Sequence, residues 1–332
     1  KRYFEQFIDA GGIRDIGKRV RNIQAIHDLE FRFKVMDEIR AESGAYCQFL
    51  TLPAPPIESV AGPDKSSEVA KIANDGLAEL CQKHPDRFIG FAASMPMNNP
   101  GACLREMERA VSQLGARGIQ VFTNVQEKPL DAPEFQAIFE EAERRDLAIL
   151  MHPARGANHA DYLTEEKSLY EIWWTLGWPY ETSVAMSRIT FSGMLERLPK
   201  LKIVTHHLGG MVPYFEGRVG YGWDQLGTRT SDVDYKALLR SMKKRPIDYL
   251  RMFYADTALF GARAGTVCGL DFFGLDHVLF ASDTPFEPVP GIFIRETIKV
   301  IESLDLSAKQ KDRIYRGNAE RLLKLPLGTS AG

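Results

Sequence analysis

Seven short apolar runs recur along the chain, and each predicts a buried β-strand. Several of them are continuous and do not alternate with polar residues, which is typical of strands covered on both faces in a parallel sheet. The runs are AYCQFLTL (45–52), RFIGFAAS (87–94), RGIQVFT (117–123), LAILMH (147–152), LKIVTH (201–206), LRMFYAD (250–256) and HVLFASD (277–283).

Between these runs, apolar residues recur at helical spacing. In the clearest example, Asn99 and Pro100 supply a cap and a first-turn proline, and Gly115 supplies a stop. A second helix is predicted after Asp131, because Asp131 and Glu134 have the spacing of a capping box. Further helices are predicted over 65–84, 180–197, 261–273 and 291–303. The alternation of strands and helices predicts a parallel α/β fold.

The expected architecture is a single (β/α)8 barrel domain over 1–325, with 326–332 as a loose tail. A chain of 332 residues is long enough for such a barrel with insertions. Seven strands are one fewer than a closed barrel needs, and the chain opens KRYFEQF without Met. We therefore expect the first strand to precede Lys1. The competing doubly wound sheet usually has a glycine-rich phosphate turn after its first strand, and the sequence has none.

Composition excludes several classes of protein. A net charge of −2 suggests neither nucleic acid nor an anionic membrane surface as a partner. No apolar run reaches the roughly 18 residues of a membrane span. The four cysteines form no Cys-x-x-Cys pair, so neither a zinc knuckle nor a disulfide framework is indicated. We expect a reduced, cytoplasmic protein.

Three predicted strands are followed by side chains that could carry chemistry. His152 closes LAILMH, His207 follows LKIVTH, and Asp283 closes HVLFASD. The carboxyl ends of barrel strands meet at one rim, so these residues should lie close together. Taken singly, each has a plainer interpretation: a structural histidine, or an aspartate that caps the turn before Pro285.

The neighbours of these residues are assigned in the same way. Adjacent strand residues point to opposite faces, so at most one of His206 and His207 should face the site. Asp256 closes LRMFYAD at the same rim, and it is either a partner of the site or a helix cap. The other histidines are taken as structural or exposed: His27, His84, His159 and His277.

The motifs ILMHP, SGMLERLPKLKIVTHHLGGMVPYFEGRV, FYADTALF and FASDTPF resemble the amidohydrolase-2 group of the amidohydrolase superfamily. Within it, the chain is similar to the branch of aminocarboxymuconate semialdehyde decarboxylase and γ-resorcylate decarboxylase. The resemblance extends from about Arg21 to Leu325. It implies a metal-dependent barrel enzyme that acts on a small carboxylic acid.

The resemblance also implies roles for individual residues. His152 and Asp283 match ligands of one divalent metal, with zinc favoured over manganese. His207 matches the catalytic histidine, and Asp283 is expected to be catalytic as well as a metal ligand. Arg218 matches an arginine that relatives insert into the neighbouring subunit's site to hold a substrate carboxylate, which implies a homodimer or a larger homo-oligomer. Arg21 lies near the place of a second carboxylate-binding arginine, in a loosely aligned segment.

One departure from the family pattern is clear. The family's first strand ends in His-x-His or Glu-x-His, which completes the metal shell, and no such motif occurs in these residues. Either that strand precedes Lys1 or the metal site has decayed. We favour the first interpretation, because a remnant of seven strands would leave a barrel edge unpaired.

These parts suit two reactions. The relatives favour decarboxylation of an aromatic or muconate-like acid, and the alternative is a hydrolase or hydratase of the same superfamily, in which activated water attacks the substrate. A metal-free binding protein is the third hypothesis, prompted by the absent motif. Trp173, Trp174 and Trp178 could line the site of a flat aromatic substrate or form an oligomer contact, and the sequence leaves both open.

Overall fold

A computed structural model describes residues 20–52 and 54–325, and its centre is a curled, parallel sheet of seven strands. Each strand pairs with the next one in chain order, without the reversal that marks a doubly wound sheet. The sheet therefore confirms the predicted barrel-type fold. The strands are β1 Gln48–Leu50, β2 Phe88–Ser94, β3 Gly118–Phe122, β4 Ala148–His152, β5 Lys202–Thr205, β6 Tyr254–Asp256 and β7 Val278–Leu279.

The observed strands are shorter than the apolar runs that predicted them. The run at 250–256 begins in a short helix, Pro246–Leu250, and only Tyr254–Asp256 is strand. The strand β7 ends at Leu279, four residues before Asp283, and β5 ends at Thr205, two residues before His207. Of the three residues proposed for chemistry, only His152 is the last residue of a strand.

Helices cover the outer face of the sheet. The longer ones are α1 Leu29–Ser43, α2 Ser66–Lys83, α3 Pro100–Ser112, α4 Gln136–Arg144, α5 Gly177–Phe191, α6 Glu216–Trp223, α7 Arg263–Phe273 and α8 Ile292–Glu302. Shorter α-helical segments are Gln24–His27, Ile57–Val60, Ile172–Thr175, Met194–Arg197, Tyr235–Ser241, Pro246–Leu250, Ala308–Asp312 and Asn318–Leu323. A hairpin of Asn124–Val125 and Lys128–Pro129 follows β3. None of the described helices is both long and apolar enough to cross a membrane. The predicted tail, 326–332, lies outside the described residues.

The two predicted helix starts have different outcomes. The Oδ1 atom of Asn99 accepts the N–H of Ala102 at 3.1 Å, so the predicted cap of α3 is confirmed. The predicted capping box at Asp131 is wrong, since α4 begins at Gln136 without a side-chain cap. The Asp131 carboxylate instead binds the guanidinium of Arg188 on α5, because a charged donor offers a stronger hydrogen bond than a backbone N–H.

Alternation along the strands separates the two faces of the sheet. Ile149 and Met151 belong to the large core under the helices, whereas Ala148 and Leu150 belong to a smaller cluster on the inner face. His152 has the same parity as Ala148 and Leu150, so its side chain also lies on the inner face. The strands β3, β4 and β5 end at nearly the same position along the sheet, since Phe122 pairs with His152 and Met151 pairs with Thr205.

The edges of the sheet are β1 and β7, and no described strand joins them. A cavity of about 240 Å³ lies near this opening. Its lining includes Asn22, Arg32, Gln48, Thr284 and Pro285.

Candidate active site

The three residues singled out from the sequence meet at the carboxyl rim of the sheet. One nitrogen each from His152 and His207 and one carboxylate oxygen of Asp283 lie within 4.8 Å of one another. Both histidines are buried and Asp283 is partly exposed. The predicted meeting of these side chains is therefore observed, although Asp283 reaches the rim from a turn, at φ 64°, and not from a strand end.

The imidazole of His152 is held in one tautomer. Its Nδ1 lies 2.8 Å from the carbonyl oxygen of Pro153, which can only accept, so Nδ1 carries the proton. The Nε2 atom is left as a bare lone pair, as a metal ligand must be. Burial, followed by the nearby His206 and His207, holds the pKa of His152 well below its usual value, and the ring is neutral at neutral pH.

His207 reaches the site by leaving the strand geometry. The strand ends at Thr205, and His207 and Leu208 take φ values of 53° and 51°, a left-handed turn that bulky residues rarely adopt. Its Nε2 lies 3.9 Å from Oδ2 of Asp283. Burial acts to lower the pKa of His207, but the carboxylates of Asp283 and Asp256 outweigh it, and that pKa is raised overall.

His206 also faces the site, which corrects the expectation that only one of the two neighbours would. Its ring centroid lies 5.0 Å from that of His152 and 6.1 Å from that of His207. His206 has the parity of Val204, an inner-face residue of β5, so alternation itself directs it inward. Alternation does not extend to His207, because β5 ends at Thr205 and the left-handed backbone of His207 turns that ring inward as well.

Asp256 is a partner of the site and not a helix cap. Its Oδ2 accepts Nδ1–H of His206 at 2.8 Å, and its Oδ1 accepts the backbone N–H groups of His207 at 2.9 Å and Ala258 at 3.1 Å. Burial acts to raise the pKa of Asp256, but His206 and the other donors outweigh it, so the pKa is lowered and the carboxyl is charged.

Aromatic side chains lie next to the cluster. The Trp178 ring is nearly parallel to the His207 ring, at 22° and 6.2 Å between centroids, and its Nε1–H donates to the carbonyl of Arg155 at 3.1 Å. Trp173 and Trp174 make edge contacts with Trp178. The Phe260 ring centroid also lies close to that of His207, at 6.5 Å.

Phe260 was not singled out from the sequence. Its backbone is left-handed at φ 55°, and its ring stacks on Phe293 at 4.2 Å between centroids. A large aromatic residue shortly after a strand and directly before Gly261 was the available signal in FYADTALF. Strained backbone of this kind is often found at functional sites.

The structure does not bring Arg218 into the cluster. Arg218 is exposed on α6, and it has no ion pair or hydrogen bond within the described ranges. It lines an apolar groove of about 740 Å³ between α5 and α6, together with Val184, Val219 and Trp223. The groove begins beside the turn that follows His207, since Oγ of Ser183 accepts the N–H of Met211 at 2.8 Å.

Arg21 is exposed and also lies outside the cluster. Its carbonyl oxygen is 3.3 Å from Nε2 of His27. The following residues, Asn22 to Ala25, line the cavity that Thr284 and Pro285 border, directly after Asp283 in the chain.

The donor set fits a divalent metal ion. Imidazole nitrogen and carboxylate oxygen atoms are the ligands of catalytic zinc and of related transition metals. The tautomer of His152 leaves Nε2 bare, and burial keeps that ring neutral. Nδ1 of His207 and Nε2 of His206 are buried without a hydrogen-bond partner among the described residues, which indicates that this region takes polar contacts beyond those of the chain itself.

Comparison with known proteins gives a consistent result. The amidohydrolase family model matches residues 29–325. A γ-resorcylate decarboxylase from Rhizobium is 30% identical over 96% of this chain and 92% of its own length.

Two solved structures are also similar. A 2,6-dihydroxybenzoate decarboxylase from Rhizobium matches with a TM-score of 0.78 and 26% identity, over 96% of this chain and 95% of that one. A dihydroxybenzoic acid decarboxylase from a Polaromonas species, solved with manganese and the inhibitor 2-nitroresorcinol, matches with a TM-score of 0.76 and 27% identity, over 96% and 93% of the two chains.

Proposed function

This chain belongs to the amidohydrolase family, and we propose that it is a metal-dependent enzyme that removes carbon dioxide from an aromatic carboxylic acid without an oxidant. The observation that carries the proposal is the cluster of two buried histidines, His152 and His207, with the partly exposed Asp283 at the rim of the sheet. The similarity of this chain to decarboxylases of hydroxylated aromatic acids supports the choice of reaction.

His152 and Asp283 are the proposed metal ligands. The neutral His152 ring presents its bare Nε2, and the Asp283 carboxylate supplies negative charge. A divalent metal, when bound there, supplies a Lewis acid that polarises a substrate oxygen. Zinc was favoured from the sequence, whereas a solved relative holds manganese. Metal analysis of the protein purified without added metal decides between them.

His207 is the proposed proton donor. When the bond between the ring carbon and the carboxyl carbon breaks, its electron pair stays on the ring and carbon dioxide leaves. A proton must then reach that ring carbon, and a charged imidazole can supply it. The raised pKa of His207 favours its charged form, and the nearby Asp283 carboxylate stabilises that charge.

The aromatic walls suit a flat substrate. The rings of Trp178 and Phe260 both lie close to that of His207, and each offers an apolar surface to a planar ring. Trp178 is anchored by its bond to the Arg155 carbonyl, and Phe260 by its stacking on Phe293. A rigid pair of walls would hold the ring carbon at a constant position relative to His207.

Arg218 is proposed to serve the site of a second copy of this chain. It is unpaired in the described part of the chain and lines an apolar groove that adjoins the turn following His207. Tyr214, Phe215 and Tyr221 are exposed nearby in sequence, and burying such aromatic residues favours association. A symmetric pair of copies would give each site one arginine for the substrate carboxylate. Arg21, close in sequence to the cavity beside Thr284, is the second proposed carboxylate-binding residue.

The test is the reaction of 2,6-dihydroxybenzoate in heavy water. We expect carbon dioxide and a resorcinol product that carries one deuterium on the carbon that lost the carboxylate. Release of carbon dioxide should stop when a chelator removes the metal and return when manganese or zinc is added. A panel of hydroxylated benzoates extends the test to other acids. A water-addition product, or activity that survives complete metal removal, would contradict the proposal.

A further inference from the structure

His206 is a partly buried imidazole to which the proposed reaction gives no task. It lies on the inner face, with its ring centroid 5.0 Å from that of His152. Its Nδ1–H donates to Oδ2 of Asp256 at 2.8 Å, and its Nε2 has no hydrogen-bond partner among the described residues. Within the part of the chain that the structure describes, every side-chain hydrogen bond of His206 therefore goes to Asp256.

Asp256 connects His206 to the left-handed turn at His207 and Leu208. While Oδ2 accepts from the ring of His206, Oδ1 accepts the backbone N–H of His207 at 2.9 Å. The same Oδ1 accepts the N–H of Ala258 at 3.1 Å, so the carboxylate is held from three directions. A charged acceptor makes such bonds short and directional.

The turn at His207 needs outside support. His207 and Leu208 are consecutive non-glycine residues in the left-handed region, which is unfavourable for both. If the chain continued as a strand, His207 would point to the outer face, away from Asp283. The bond from its N–H to Asp256 helps to hold the backbone that directs the ring inward.

We propose that His206 is a positioning residue for His207. By donating to Asp256, it orients the carboxylate whose other oxygen holds the left-handed turn, and so it sets the direction of the ring that delivers the proton. The catalytic part of this inference rests on the proposed function, whereas the positioning itself does not.

Two variants of similar shape separate positioning from packing. His206→Asn keeps an N–H donor near the position of Nδ1, and His206→Leu has a comparable shape without a donor. Loss of a partner that orients a functional group costs about 10–100-fold, so we expect kcat of His206→Leu to fall by that factor. Its KM and its metal content should change by less than about twofold, and His206→Asn should recover most of kcat.

A matched control comes from another histidine. Nδ1 of His277 donates to the carbonyl of Phe253 at 3.0 Å, at the amino-terminal end of β7 and away from the rim. His277→Leu removes a comparable bond, and its kcat should be unchanged even if its melting temperature falls. A similar drop in kcat for His277→Leu would mean that any loosening of the fold has this effect, and it would overturn the proposal.

A second measurement does not depend on activity. With 15N-labelled histidine, the seven histidines of the chain give a small set of backbone amide signals. The His207 amide proton should resonate downfield in the wild type and in His206→Asn, because it binds a carboxylate, and should move upfield in His206→Leu. If this shift is seen but the wild type decarboxylates no acid, the proposed function fails and the positioning stands. An unmoved amide signal, equal losses of kcat in both variants, or loss of metal in His206→Leu would each overturn the proposal.

Discussion

The Nε2 atom of His207 and the Oδ2 atom of Asp283 lie 3.9 Å apart, too far for a hydrogen bond and close enough to act on the same atom. Two ligands that share a metal ion have a comparable separation, since each bond is about 2.0–2.2 Å long. The same distance also allows His207 to act on substrate beside a metal held by Asp283. The role of His207 is therefore decided by what happens to the metal when His207 is replaced.

The first prediction concerns His207→Asn. We expect this variant to lose about 10²–10⁴-fold in turnover, because it removes a group that can donate a proton. It should keep its metal and its affinity for 2-nitroresorcinol, the inhibitor held by a solved relative. Metal content, inhibitor binding and turnover should be measured on the same preparation. Loss of the metal would make His207 a ligand, and the assigned role would be wrong.

The second prediction concerns the proposed metal ligands. His152→Ala and Asp283→Ala should each lower bound metal well below one ion per chain after dialysis, because each removes a donor from the buried cluster. His27→Ala and Asp305→Ala, at exposed positions, are the matched controls and should keep the wild-type metal content. Elemental analysis checks all four proteins. Full retention in both cluster variants would remove His152 and Asp283 from the metal shell.

The third prediction concerns Arg218. If it completes the partner's site, Arg218→Ala chains mixed with Asp283→Ala chains should form dimers that contain one intact site. Random pairing makes half of the dimers mixed, so the mixture should recover about a quarter of wild-type activity. Chains with two different affinity tags allow the mixed dimers to be isolated and assayed. Inactive mixed dimers would place Arg218 in its own subunit's site, and full activity of Arg218→Ala alone would place it outside catalysis.

The fourth prediction concerns pH and Glu58. Burial raises the pKa of this carboxyl from its usual 4.5 to about 8, and its Oε1 has no hydrogen-bond partner among the described residues. The folded protein therefore holds a proton at pH values where the unfolded chain has released it. The protonated Glu58 therefore contributes to the free energy of unfolding, and this contribution is fully present below about pH 4.5. It is lost as the pH rises towards 8, by up to about 1.4 kcal/mol per pH unit.

The Glu58→Gln variant tests this dependence. Glutamine keeps the shape and remains neutral, so its melting temperature should fall less than that of the wild type between pH 5 and pH 9. Glu68→Gln, at an exposed position on α2, should follow the wild type. If the melting temperatures of all three proteins change with pH in the same way across this range, Glu58 does not titrate in the folded state as expected.

The local pattern of apolar residues was sufficient to predict the order of strands and helices along the chain. Seven apolar runs with helical segments between them predicted a parallel sheet, and the sheet has those strands in that order. Such runs are local properties, because strands covered on both faces must be apolar along their whole length. Strand ends were less predictable, since the apolar residues at 250–253 could equally fill a turn after the helix Pro246–Leu250.

Within the site, the sequence by itself determined which residue types lie near the ends of β4, β5 and β7. Because the carboxyl ends of parallel barrel strands meet at one rim, it also predicted that His152, His207 and Asp283 would lie close together. Tertiary structure decided how they meet. The left-handed turn at His207, the inward direction of both neighbouring histidines and the bonds to Asp256 depend on contacts between segments about 50 residues apart. The pattern of residues along one strand does not predict those contacts. A backbone conformation that is unfavourable locally persists only where distant groups hold it.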